Sequence, residues 1–357
     1  MTKVPHGGRT IERLKVGKRG LDLSANCNPL GPPDVLQRRW GELFSYVALY
    51  PPLDPLFASQ YIGRMYNLPE ATILPCNGAT QGIYLLARCL PGKTVALVEP
   101  SFGEYRVAFT LAGKLVISWS VFPKRSLGDP KEVDVVVFGN PGNPLGDTEA
   151  LDLYFSARRR KLSTIFVVDE AFQEFMGEAT SLTGMVFEDR NLYVVRSLTK
   201  YFALPGLRGG FLVAHPENIL RLAEYLEPWS VNAILIRALE ILAEEDLTPF
   251  REATELWLRE EKAFLEEAFR AFPFLSFYPS WVNFYTLWVT GNGNGRELLS
   301  FLEERGIFVR SLADFVGLDE RFFRIAVRTR EENLRFLEVV EEYGRRTGAH
   351  PWGSPKR

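Results

Sequence analysis

Residues 197–210 read Ser197-Leu198-Thr199-Lys200-Tyr201-Phe202-Ala203-Leu204-Pro205-Gly206-Leu207-Arg208-Gly209-Gly210. An apolar run, Asn191 to Arg196, leads in, and another, Gly210 to Ala214, leads out. The stretch therefore links two strands through a short turn. It sets a lysine behind small hydroxyl residues and, eight residues on, an arginine in a Pro-Gly-Leu-Arg-Gly turn. A lysine amine forms a Schiff base with a carbonyl, and pyridoxal phosphate is the common carbonyl cofactor. The phosphate of such a group needs donors near the same lysine. Ser197 offers a hydroxyl and Arg208 a charged fork. Taken alone, these letters also fit an ordinary turn with an exposed Arg.

Two upstream segments strengthen the reading. Asp169 ends the apolar run Thr164-Ile165-Phe166-Val167-Val168, which reads as a buried parallel strand. A carboxylate there points into the crevice where α/β sheets bind ligands, and it can keep a pyridine nitrogen protonated. Gly139-Asn140-Pro141-Gly142-Asn143-Pro144-Leu145-Gly146 follows the run Val133 to Phe138, and the Asn143 amide can donate to a ring oxygen. A helix cap explains Asp169 singly, and a turn explains Asn143 singly. Three such sites in order, each just past a strand, are poorly explained by chance. Cys76-Asn77-Gly78-Ala79-Thr80-Gln81-Gly82 opens an apolar helix from Ile83 to Cys89. Free amides and the positive dipole end suit an anion at Gly78, Ala79 and Thr80.

Thr94–Val98, Leu115–Trp119, Val133–Phe138, Thr164–Val168, Asn191–Arg196 and Gly210–Ala214 read as strands separated by helical stretches. That alternation predicts an α/β fold on a mostly parallel sheet. From Pro216 to Phe272 the pattern turns helical. Short strands at Leu275–Tyr278, Phe284–Val289, Ile307–Arg310 and Phe322–Val327, beside helices at Arg296–Arg305 and Arg330–Arg345, predict a smaller α+β domain. The expected division is a large domain over 41–245, and a small domain of 246–357 joined by the N-terminal segment 1–40. The Gly/Pro-rich tail from Thr347 to Arg357 reads as loose.

The 357 residues suffice for two domains, and 46% hydrophobic residues supply ample core. A net charge of −2 provides no footprint for nucleic acid or an anionic membrane. Cys27, Cys76 and Cys89 show no metal or disulfide spacing, which points to a reducing, metal-free setting. No apolar run is long enough to span a bilayer, and the basic start is no signal peptide, so cytoplasm is the expected location.

On the lysine, aspartate, asparagine and arginine segments together, the chain resembles the class I/II aminotransferase group of pyridoxal-phosphate enzymes over nearly its whole length. The resemblance implies the type I fold of that group. Within it, four stretches look most like the threonine-phosphate decarboxylases of cobalamin biosynthesis, and next most like the histidinol-phosphate aminotransferases. They are Val4-Pro5-His6-Gly7-Gly8, Leu23 to Gly31, Pro228 to Ala233, and Phe322-Phe323-Arg324-Ile325-Ala326-Val327-Arg328. Phe172, where the aminotransferases carry tyrosine, also favours the decarboxylases. The turn at Asn143 departs from the family pattern at Gly142 and Leu145.

The resemblance implies further roles. Phe102 would stack on the pyridine ring, with Tyr105 a second candidate. Tyr50 would reach across a homodimer to the neighbouring subunit's phosphate, giving shared active sites. Arg310 and Arg324 match substrate-binding arginines, and Arg328 is an added one. Arg324 and Arg328 are four apart in an alternating run, which would put both on one strand face. Three converging cations would suit a small substrate bearing a carboxylate and a phosphate. His6, Asn26 and Asn28 would complete the phosphate pocket. The implied activity is decarboxylation of a phosphorylated amino acid with pyridoxal phosphate. Transamination of histidinol phosphate is the alternative, and a noncatalytic interaction protein on the same fold is a third reading, opposed by the intact Lys200, Asp169, Asn143 and Arg208.

Overall fold

A computed structural model describes residues 4–15, 17, 19–178, 180–291 and 294–347. The expected loose tail lies, beyond Thr347, outside the described residues. The strands are β1 (Leu21–Asp22), β2 (Ile73–Cys76), β3 (Thr94–Glu99), β4 (Leu115–Ser120), β5 (Val135–Gly139), β6 (Ile165–Asp169), β7 (Leu192–Ser197), β8 (Gly210–Ala214), β9 (Leu275–Phe277), β10 (Phe284–Val289), β11 (Ile307–Phe308), β12 (Arg310–Ser311) and β13 (Phe322–Ala326).

A seven-stranded sheet runs β2-β8-β7-β6-β5-β3-β4. β4, β3, β5, β6 and β7 are mutually parallel, and β8 runs antiparallel to both β7 and β2. The inner strands are apolar throughout because helices cover both faces. Val135 and Val137 face a layer with Ile83, Leu86 and Phe109, whereas Val136 and Phe138 face the opposite layer with Phe166, Ala238 and Leu239. Burying each such side chain contributes about 1.5–3 kcal/mol. The reversal at β8 follows from its connection. Only Leu198 to Gly209 separate it from β7, and that link holds just one four-residue helix, Leu198–Tyr201. β2 escapes a sequence reading because Pro75 sits inside it; an edge position, paired to β8 alone, tolerates the missing donor.

A second sheet, ordered β12-β13-β10-β9, is antiparallel. Its core includes Leu265, Phe269, Tyr285, Leu287, Phe323 and Phe336. β1 pairs in parallel with β11, which brings Leu21 and Leu23 into this core. Residues 34–38, expected with the smaller domain, pack elsewhere: Val35 and Leu36 join the core that holds the helix Ala233–Glu244. The chain is turned at Asn28, whose side chain donates to the Tyr201 carbonyl and to Thr254 Oγ1. Asn28 is thereby spent on tying the fold together, which corrects its expected place in the phosphate pocket. The single strand expected over Ile307–Arg310 divides in two, because Ile307–Phe308 pair with β1 while Arg310 pairs with Arg324 on β13.

Candidate active site

The carboxyl ends of β5, β6 and β7 open into a cavity of about 890 Å³. Parallel strands deliver their following turns to the same edge, so the segments after each strand meet there. Asn143, Asp169, Ser197, Lys200 and Arg208 all line it, together with Ala79, Thr80 and Phe102. The second sheet contributes Arg310 and Arg324, and the N-terminal segment contributes His6 and Asn26.

Asp169 is buried at the end of β6. Its Oδ2 accepts from the Tyr105 hydroxyl at 2.6 Å, and its Oδ1 accepts from the Ala171 N–H at 2.9 Å. Burial pushes this carboxyl up; the Tyr105 hydroxyl, the Ala171 amide and nearby Lys200 hold it down. Tyr105 thus orients the carboxylate instead of stacking on a ring, and Phe102 remains as the aromatic wall beside it, with ring centroids 5.6 Å apart. The signal in the sequence was the spacing: Phe102 and Tyr105 lie three apart as the helix Glu104–Leu111 begins, so both reach one side.

Lys200 lies in the short helix Leu198–Tyr201, capped by Ser197, whose Oγ accepts from the Thr199 N–H at 3.4 Å. Ser197 Oγ and Thr199 Oγ1 are 2.8 Å apart, and Thr199 joins the cavity lining, a residue the sequence reading had not singled out. Burial is the main force pushing the Lys200 amine below its usual value; Arg324 and Arg208 act the same way, Cys27 and Asp169 against it. A neutral amine is the nucleophilic form.

Arg208 holds a left-handed backbone with φ of +57°, a conformation that costs a non-glycine residue about 1–2 kcal/mol. Its Nη1 donates to the Pro205 carbonyl at 3.2 Å. Gly78, at φ +88°, precedes the helix Ala79–Cys89; a Cβ there would stand 2.7 Å from Arg208 Nη2. Glycine therefore lets the guanidinium approach the amino end of that helix. Arg208, the helix amides and the Ser197 and Thr199 hydroxyls form a donor set with no carboxylate among the bonds described, which fits a phosphate. A buried carboxylate and a half-buried lysine lining one cavity fit the pyridine and aldehyde ends of pyridoxal phosphate.

At the other end, Arg324 donates through Nη1 to Asn143 Oδ1 and through Nη2 to the Ser24 carbonyl at 3.3 Å. Its partners among the described residues are neutral, and its Nε is buried without one. Burial and neighbouring Arg310 both disfavour its charge. An arginine keeps its proton even so, which leaves a cation that an anionic ligand would neutralise. Arg310 is met differently: Asp314 accepts from both of its outer nitrogens at 2.7 Å, and the Pro5 carbonyl accepts at 2.7 Å.

Arg328 does not join them. β13 ends at Ala326, so the alternation that would put Arg328 on the face of Arg324 stops short of it. Thr329 caps the helix Arg330–Arg346, and Arg328 Nη2 pairs with Glu332 Oε1 at 3.1 Å in the first turn. Arg328 is absent from the cavity lining, and the expected third converging arginine is corrected to two. Tyr50 also stands away from this chain's cavity; it is exposed and its ring lies 5.3 Å from that of Trp229. Phe172 is buried in the cavity wall against Phe284, at 4.9 Å.

The N-terminal segment also lines the site. Gly7 approaches the Ser24 carbonyl so closely that a Cβ would lie 2.1 Å from its oxygen, and the Gly8 N–H donates to Ser24 Oγ at 2.9 Å. His6 Nε2 lies 2.8 Å from Glu104 Oε1. Asn26 is buried and lines the cavity, and its Oδ1 is buried without a partner among the described residues.

The chain is similar to known proteins over most of its length. The aminotransferase class I and II family profile matches residues 18–340. A threonine-phosphate decarboxylase of Salmonella typhimurium is 31% identical over 350 residues, spanning 94% of this chain and 95% of its own. Among solved structures, the L-threonine-O-3-phosphate decarboxylase of Porphyromonas gingivalis superposes with a TM-score of 0.79 at 26% identity, over 90% of this chain and 99% of its own. The histidinol-phosphate aminotransferase of Clostridium acetobutylicum does so with a TM-score of 0.83 at 25% identity, over 91% and 99%.

Proposed function

The chain belongs to the aminotransferase class I and II family, and from that premise we propose that it decarboxylates L-threonine O-3-phosphate to (R)-1-aminopropan-2-yl phosphate with pyridoxal phosphate, as a step of cobalamin biosynthesis. The observation that carries this reading is Arg324, a buried cation with neutral partners in the same cavity as Lys200. Asp314 already meets Arg310, so Arg324 is left for a substrate carboxylate. His6 and Asn26 line the same cavity from the N-terminal segment, where a phosphate would be held.

Bound there, pyridoxal phosphate would supply an electron sink for a carbanion at the substrate Cα. The chain's residues do the rest. Gly78, Ala79, Thr80, Ser197 and Arg208 hold the phosphate. Asp169, oriented by Tyr105, keeps a proton on the ring nitrogen. Asn143 donates to the ring oxygen while its Oδ1 accepts from Arg324. Phe102 covers one face. Lys200, in its neutral form, would hold the cofactor's aldehyde end, and its amine is the group placed to carry the proton that the substrate Cα requires after carbon dioxide leaves. Arg324 would bind the substrate carboxylate, and the orientation it imposes would select the bond that breaks.

A homodimer belongs to this reading, with Tyr50 serving the neighbouring site. So does a cytoplasmic setting, supported by the free thiols of Cys27, Cys76 and Cys89. Among the described residues no helix is long and apolar enough to cross a membrane.

Transamination of histidinol phosphate is the second reading, favoured by the TM-score of 0.83. Incubation with L-threonine O-3-phosphate should release carbon dioxide, with little turnover of unphosphorylated threonine. A half-reaction with glutamate should leave the cofactor's spectrum unchanged. Efficient amino transfer to and from histidinol phosphate, with no carbon dioxide from threonine phosphate, would replace the first reading by the second.

A further inference from the structure

Three residues of the segment Phe102 to Tyr105, which follows β3, divide the labour at the cavity mouth. Phe102 walls the cavity, and Tyr105 reaches inward to Asp169 at 2.6 Å. Glu104, between them, lines the cavity mouth and meets other partners. Its Oε1 lies 2.8 Å from His6 Nε2, and its Oε2 accepts from the Tyr84 hydroxyl at 2.6 Å. Both carboxylate oxygens are engaged, so the side chain has one orientation. The His6 ring sits 5.7 Å from that of Phe102, over the aromatic wall.

A carboxylate lining an anion-binding cavity repels its ligand unless a cation stands between them. With Nε2 bonded to Glu104, the other ring nitrogen, Nδ1, is the atom left to meet a ligand. In the neutral ring that bonds Glu104 through Nε2–H, Nδ1 is only an acceptor and cannot bind a phosphate oxygen; in the protonated ring both nitrogens donate. Tyr84 fixes the carboxylate, the carboxylate fixes the imidazole, and the imidazole faces the cavity.

We propose that Glu104 is a specificity-determining positioning residue, which acts through His6 to make the cavity mouth prefer a phosphorylated over an unphosphorylated amino acid. This rests on the decarboxylase reading above, because it assigns the substrate phosphate to His6. Glu104 itself touches no reacting atom, so its effect belongs in substrate affinity and not in the chemical step.

The experiment uses the cofactor-loaded enzyme and compares L-threonine O-3-phosphate with L-threonine, by kinetics and by calorimetric binding. Glu104→Gln keeps the shape and removes the charge. It should raise KM for the phosphorylated substrate about tenfold, the value of one charge-assisted hydrogen bond, with kcat within about twofold and binding of threonine unchanged. His6→Ala should do the same, and Glu104→Gln added to His6→Ala should cost nothing further, because the two act as one unit. Glu104→Asp should recover part of the loss. A structural role alone would lower activity on both substrates and add to His6→Ala. If wild type prefers the phosphorylated substrate and Glu104→Gln keeps that preference, the inference about Glu104 falls while the substrate reading stands. If wild type does not distinguish the two, the substrate reading falls and takes the inference with it.

Discussion

Tyr105 and Asp169 show how much one hydroxyl decides. The carboxyl is buried, which raises it, and the Tyr105 hydroxyl is the largest influence holding it down. Tyr105→Phe removes that donor, so the carboxyl moves further up and ionises only at higher pH. Activity should fall about tenfold or more, from the loss of a roughly 1.5–3 kcal/mol bond to a charged group. The acid limb of the pH–rate profile should shift upward; an unmoved limb would mean that Asp169 is not the group that titrates there. Lys200→Ala should abolish turnover, and borohydride treatment of the wild type with its cofactor should label Lys200; a label on another lysine would move the site. Asp147, four residues past Asn143, offers a stability test. Burial pushes its carboxyl from 3.8 up to about 6, and its Oδ2 has no partner. The folded state therefore prefers the protonated form. That stability is present below the unfolded value of 3.8 and is lost as pH rises through about 6. Asp147→Asn mimics the protonated form and should be more stable than wild type by about 3 kcal/mol at pH 8, from roughly two pKa units at 1.36 kcal/mol each. At pH 4 the two proteins should nearly coincide in urea denaturation. A difference independent of pH would assign the effect to something other than this carboxyl.

At the scale of elements, the end of β13 is the instructive place. Phe322 to Val327 alternate as a strand should, and strand periodicity carried forward puts Arg328 beside Arg324. The structure ends the strand at Ala326 and starts a helix at Arg330, with Thr329 and Glu332 forming a capping box. A Thr-x-x-Glu signature stands in the sequence at Thr329 to Glu332, and it outranks alternation. The substrate role expected of Arg328 is therefore replaced by a pairing at the helix start. Arg328→Gly should leave binding of L-threonine O-3-phosphate within about twofold, since it breaks only a part-exposed pair worth roughly 0–1 kcal/mol. Arg324→Gln should weaken the same binding by about 2–5 kcal/mol, because a buried anion loses its partner. Calorimetry on both variants decides between them; equal losses would return Arg328 to the site.

At the scale of the whole molecule, an exposed apolar surface runs along residues 40–53, with Trp40, Phe44, Val47, Leu49, Tyr50 and Leu53 all largely uncovered. So many large apolar side chains on one short stretch mark an association surface. If Tyr50 serves a neighbouring subunit, Tyr50→Ala and Lys200→Ala proteins, each impaired alone, should regain activity when mixed and allowed to exchange subunits. The mixed dimer then holds one site with both residues intact. A fully active protein that sediments as a monomer would rule out the shared site.

What the sequence determined by itself was local. Apolar runs of strand length, small residues opening a helix and the Lys200, Asp169 and Asn143 turns each depend on neighbours within a few residues. They were legible for that reason, and with them the α/β class and most of the residues lining the cavity. What only the tertiary structure decided was which distant group answers each local one. Tyr105 meets Asp169 from 64 positions away, and Asn143 meets Arg324 from 181. The reversal of β8, the edge position of β2 and the diversion of Asn28 to the Tyr201 carbonyl likewise come from packing between remote segments. Spacing along a chain determines a side chain's face on its own element. The partner it finds there depends on how the elements are stacked, and that is set by burying their apolar faces together.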